Sequence, residues 1–116
     1  MNIYLILAAL LTFVTLLAHS ILGERLIFSS WRKTYSQFSF EQGIIWSSWH
    51  ILSLFGLGLS LLLYAFATEL LPISPSVKAC MIGVLIGSSA LIGFGTRWRH
   101  PAWLVFILLS LLIALS

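Results

Sequence analysis

The chemistry available to this chain of 116 residues rests on few side chains. Its charged groups are Glu24, Glu41, Glu69, Arg25, Arg32, Lys33, Lys78, Arg97 and Arg99, joined by His19, His50 and His100 and by one cysteine, Cys80. Imidazole and carboxylate together suit zinc, copper or iron. His19, His50 and His100, with Glu24, therefore form a candidate ligand set for a transition metal or a haem. No H-x-x-x-H or H-E-x-x-H spacing accompanies them. Arg25, Arg97 and Arg99 offer a second chemistry, a clamp for the phosphate of a lipid headgroup or another small anion. The third option is internal: Glu24 pairs with Arg25, Arg97 or Arg99, and the histidines bond Ser47, Ser53 or backbone carbonyls, tying helix ends together. A single cysteine excludes an intrachain disulfide. Cys80 lies in an apolar run far from the histidines and reads as a packing residue.

The setting of these groups is a membrane. Sixty per cent of the residues are apolar and 8% are charged, whereas a soluble domain carries about a quarter. The mean hydropathy is +1.09. Six scattered cations make no basic face, so nucleic acid is not an expected partner. A helix needs about 20 apolar residues to cross a bilayer. Four segments approach this: about 3–22, 43–68, 78–96 and 101–116. The expected fold is all-α, a single integral membrane domain built as a bundle of four transmembrane helices. The first run has no preceding Lys or Arg and no clear cleavage site, so it reads as a retained helix. Pro72 and Pro75 close the second span, and Pro101 suits the first turn of the fourth. Residues 23–42 mix Leu26, Ile27, Phe28 and Trp31 with Arg32 and Lys33, the pattern of an interfacial segment lying on the headgroups.

Positive charge sets the orientation. Arg25, Arg32 and Lys33 occupy the first loop, Arg97 and Arg99 the third, and only Lys78 the second. Loops 1 and 3 are thus expected in the cytoplasm, with both termini outside, N-out and C-out. All five tryptophans fall toward that cytoplasmic end, and Trp46, Trp49 and Trp103 read as an aromatic interface. Helical spacing assigns an interior face to each span. These faces are Ala8, Thr12, Thr15, His19 and Gly23; then Trp46, His50, Ser53, Leu57, Ser60, Tyr64 and Thr68. The third is Gly83, Gly87, Ala90, Phe94 and Arg97, and the fourth Trp103, Ile107, Ser110 and Ala114. The three histidines, Glu24 and Arg25, Arg97 and Arg99 therefore gather at one end.

The segments His19-Ser20-Ile21-Leu22-Gly23-Glu24-Arg25, Trp49-His50 and Arg97-Trp98-Arg99-His100-Pro101-Ala102-Trp103 resemble a group of small four-helix bacterial membrane proteins. The resemblance covers most of the chain, carries no activity, and implies only that these same positions are the ones to test; the expected location is the bacterial inner membrane. Small multidrug exporters differ, because they carry a carboxylate in the middle of the first helix. No charge lies at mid-bilayer here, which argues against coupled transport. With no reaction motif and almost no mass outside the membrane, the expected role is an accessory or structural subunit. Its partners would be lipids and either other membrane subunits or further copies of itself.

Overall fold

The computed structural model describes all 116 residues, and every regular element is helical. Helix α1 spans Ile3–Leu22, π-helical turns follow at Gly23–Phe28, and α2 (Ser29–Thr34) continues them into one rod ending at Thr34. Helices α3 (Phe40–Ala67), α4 (Pro75–Gly95) and α5 (Ala102–Leu115) complete the chain. Three rods, Ile3–Thr34, Phe40–Ala67 and Pro75–Gly95, are long and apolar enough to cross a membrane, while α5 is shorter. At 1.5 Å per residue the first rod is roughly 48 Å long, well beyond the ~30 Å of hydrocarbon. Its apolar stretch is α1, whose 20 residues are by themselves long enough to cross, and the residues after Leu22 are more polar.

Local sequence explains the ends. The Asn2 side chain accepts from the backbone of Tyr4 and Leu5 and starts α1. Ser39 and Gln42 cap one another reciprocally, so α3 begins at Phe40 rather than near residue 43. Ser74 caps α4, and Pro75 occupies its first turn. Pro75 therefore opens the third span instead of closing the second, because a missing N–H costs nothing at that position. The stretch read as an interfacial segment is helical as far as Thr34, continuing α1 through the π turns.

The helices pack as an open row in the order α3, α1, α5, α4, and the consecutive helices α3 and α4 scarcely touch. Extents of 49 × 30 × 19 Å agree with this arrangement, since four helices spaced 8–10 Å apart form a row roughly 30 Å wide. The core lies toward the termini. Leu5, Ala8 and Ala9 of α1 meet Leu63, Phe66 and Ala67 of α3, Leu109 and Ile113 of α5, and Leu85 of α4. Asn2 closes that end, its N–H donating to the Ala67 carbonyl at 2.9 Å and its Nδ2 to the Ser116 carbonyl at 3.0 Å. Hydroxyls bond backbone across helices here: Ser60 donates to the Ala9 carbonyl and Ser89 to the Trp103 carbonyl, each at 2.9 Å.

Periodicity placed the α1 face well, since Ala8, Thr12 and Gly23 are buried. Along α3 Ser60 is buried as expected, but Leu63, Phe66 and Ala67 join it, and Leu57 and Tyr64 are exposed. On α4 the expected face is corrected. Gly83 and Gly87 are exposed, and Leu85, Ser89 and Gly93 face the row. Two interactions with the α5 side fix that rotation, the Ser89 bond to Trp103 and the seating of the Trp98 ring where a Cβ on Gly93 would come within 2.2 Å. On α5, Ser110 is buried as expected, but Leu109 and Ile113 join it rather than Ile107.

Candidate functional site

Beyond Leu22 the wider π turns place Glu24, Phe28 and Arg32, spaced four apart, on the side facing α3. Such turns are often found at functional sites. From α3, Trp46 and His50, one turn apart, reach the same carboxylate. Glu24 Oε1 accepts from Trp46 Nε1 at 2.7 Å and from His50 Nε2 at 2.8 Å. Arg32 completes the site, donating from Nη1 to Oε2 at 2.6 Å and from Nη2 to Oε1 at 3.3 Å. The Arg32 guanidinium, followed by the Trp46 N–H, holds the Glu24 carboxyl at about 2, well below the usual carboxylate range. Glu24 is thus an anion whose oxygens are engaged from both rods.

A second layer lies one turn deeper. The His19 ring stacks on Trp49 with centroids 4.0 Å apart and planes 8° from parallel. Trp49 Nε1 donates to the His19 carbonyl at 3.0 Å, and His19 Nδ1 lies 3.2 Å from Ser53 Oγ. Gly23 makes this possible, because a Cβ there would lie 2.2 Å from the Trp49 indole nitrogen. Phe28, fully buried, packs edge-on against Trp31 and Trp49 and tilts against His50. His50 Nδ1 lies 3.3 Å from Ser20 Oγ. No buried side-chain polar atom lacks a partner.

The groups singled out from sequence divide accordingly. Glu24, His50, Trp46, His19 and Trp49 converge between α3 and the first rod. His100 is exposed on the α4–α5 connection, where its Nδ1 accepts from the Ala102 N–H at 3.2 Å. No three His, Cys, Asp or Glu side chains stand where they could hold a metal ion. The partner of Glu24 is Arg32, not Arg25, Arg97 or Arg99, and none of those three arginines forms an ion pair. Trp46 and Trp49 donate their N–H groups to Glu24 and the His19 carbonyl between the first rod and α3, and Trp103 donates to the Trp98 carbonyl at the exposed α4–α5 connection.

Sequence reading missed Arg32, Ser20 and Phe28. Glu24 and Arg32 are eight residues apart and face one another only if the helix continues. The polar composition of residues 23–42 argued against that continuation.

Beside the site, a groove of about 310 Å³ opens between α1 and α3. Ser20, His50 and Ser53 line it together with Phe13, Leu16, Leu17, Leu54 and Leu57. The antiparallel helices set the three polar groups at the end nearest Glu24 and the apolar ones deeper. No family model, curated protein or solved structure matches the chain.

Proposed function

We propose that this protein is a small accessory or structural subunit of a bacterial inner-membrane assembly, held in a larger complex or as a homo-oligomer. Loops 1 and 3 face the cytoplasm and both termini the outside, in keeping with the charge bias of the loops. The observation that carries the reading is the open row. Helices α3 and α4 each bear mainly on one neighbour. On α4, Gly83 and Gly87 are exposed, with no other atom within 4 Å of where a Cβ would stand. Small residues four apart are what allow membrane helices to approach closely, and this pair is unused inside the chain. In this reading the Glu24 cluster keeps the cytoplasmic ends of α1 and α3 in fixed register.

The test is purification from the native membrane in mild detergent, followed by crosslinking and native mass spectrometry. A stoichiometric partner, either another subunit or a second copy, is expected. A monodisperse monomer with no crosslinked partner would contradict the proposal.

A second reading is favoured by Arg25, Arg97 and Arg99 being free of internal ion pairs. They are available to the phosphates of acidic lipids. Retention of an acidic lipid that is lost when all three become alanine supports this role, and unchanged retention removes it.

A further inference from the structure

We propose that Ser20, His50 and Glu24 form a nucleophile, base and positioning residue acting on a long-chain carboxylic ester, drawn from the bilayer into the α1–α3 groove. The inference goes beyond the accessory role and does not rest on it. A serine hydroxyl becomes a useful nucleophile when an adjacent base takes its proton and a third group orients that base. All three parts are present. An ionised carboxylate only accepts hydrogen bonds, so the His50 nitrogen 2.8 Å from Glu24 Oε1, Nε2, carries the proton. In the neutral ring this leaves the Nδ1 lone pair directed at Ser20, whose hydroxyl donates to it across 3.3 Å. That distance is long for a hydrogen bond, as such contacts often are before substrate binds. The ring runs in the opposite sense from the serine proteases, where the nucleophile faces Nε2. Either nitrogen serves as base provided the other is held as donor.

The groove supplies the remaining requirements. Phe13, Leu16, Leu54 and Leu57 offer an apolar channel for an alkyl chain, and Ser20, His50 and Ser53 meet its carbonyl end. Ser53 lies 3.2 Å from His19 Nδ1. Ser53 Oγ donates to the Trp49 carbonyl at 3.3 Å, a long bond that it would exchange for one to a developing oxyanion while His19 Nδ1 donates to it.

Ser20 Oγ bonds to the ester carbon while its proton passes to His50 Nδ1. The bond from that carbon to the alcohol oxygen breaks, and the departing oxygen takes the proton from His50. The acyl-Ser20 ester is then attacked by water, whose proton goes to His50 and on to Ser20 Oγ as the carboxylic acid leaves. The net change is ester plus water to acid plus alcohol.

The full chain in detergent micelles should be treated with a long-chain alkyl fluorophosphonate, which loses fluoride to an activated serine. The expected result is one adduct per chain, mapped by mass spectrometry to Ser20 and absent in Ser20→Ala. His50→Gln should slow labelling by about 100-fold or more. Glu24→Asp should label faster than Glu24→Gln at equal helicity, a difference that a purely structural carboxylate would not produce. Release of p-nitrophenol from p-nitrophenyl palmitate should follow the same order. No adduct on folded wild-type protein, an adduct on a different residue, or wild-type labelling in His50→Gln would each overturn the proposal. The wild-type adduct map decides the matter even if a variant fails to fold. A monomeric protein would still label, so this proposal and the subunit reading fail separately.

Discussion

The two ends of the molecule are held by different physics. At the termini, Leu5, Ala8, Leu63, Ala67 and Ile113 are almost wholly buried, and helices meet through small side chains and close-packed aliphatics. At the other end few residues are buried, Gly23, Phe28 and Gly93 among them, and contact between the first rod and α3 runs through Glu24, His50, Trp46, Trp49 and Arg32. In lipid, apolar burial gives little drive for helices to associate, so packing and hydrogen bonds must supply it. The first end relies on fit and the second on charge and hydrogen bonds. Fit tolerates added volume poorly. A hydrogen-bonded hub tolerates the loss of its acceptor poorly, and responds to pH.

The largest expected effect belongs to the packed end. Ala8 is fully buried between helices, and Ala8→Leu adds three carbons where no room exists. Overpacking of this kind costs about 1–3 kcal/mol, occasionally more, read as a lower midpoint of thermal unfolding in detergent. A midpoint equal to wild type would show that the row is looser than described.

Gly23→Ala is the corresponding test at the polar end. Its Cβ would meet the Trp49 indole, a ring fixed by its stack on His19 and its bond to the His19 carbonyl. Destabilisation of about 1–2 kcal/mol is expected, with a shift in tryptophan emission that Ala8→Leu does not produce. An unshifted spectrum would mean that Trp49 is not seated there.

Acid sharpens the contrast. Because the Arg32 guanidinium and the Trp46 N–H lower the Glu24 pKa in the folded state, this group stabilises the protein at pH above about 4.5 and loses that contribution as pH falls toward about 2. Glu24→Gln should flatten the pH dependence of unfolding across that window and be less stable than wild type above it. An identical acid profile in the two proteins would remove Glu24 from its central place.

The smallest effect is expected at Gly83. Nothing lies near its missing Cβ, so Gly83→Ala should leave the monomer's midpoint within about 0.5 kcal/mol of wild type or raise it slightly through helix propensity. Crosslinking to a partner helix should weaken. A marked loss of monomer stability would show that α4 is rotated from the orientation described.

How much of this was legible beforehand depends on the residue. The helices were readable because long apolar runs between polar breaks leave little alternative, and the α1 face was readable because Ala8, Thr12 and Gly23 keep strict spacing. The α4 face was not, because Gly83 and Gly87 look like contact residues to any spacing rule, whereas Ser89 and the Trp98 ring on Gly93 decide the rotation. At the site, Glu24, His50 and His19 stood out by chemistry. His100 lies at the same end of the molecule, but sits on the α4–α5 connection, where it accepts from the Ala102 N–H. Arg32 was hidden because its pairing depends on helical continuity through Gly23–Phe28, and wide π turns have no simple sequence signature.

The coupling between Glu24 and His50 offers the most direct test of the account. A double-mutant cycle of Glu24→Gln and His50→Gln, followed by thermal unfolding in bicelles, isolates the interaction across the two rods. Groups in one hydrogen-bonded network couple by about 0.5–3 kcal/mol, and the double variant should be less destabilised than the two single variants added together. Strict additivity, within about 0.3 kcal/mol, would contradict a Glu24-centred hub joining the first helical rod to α3.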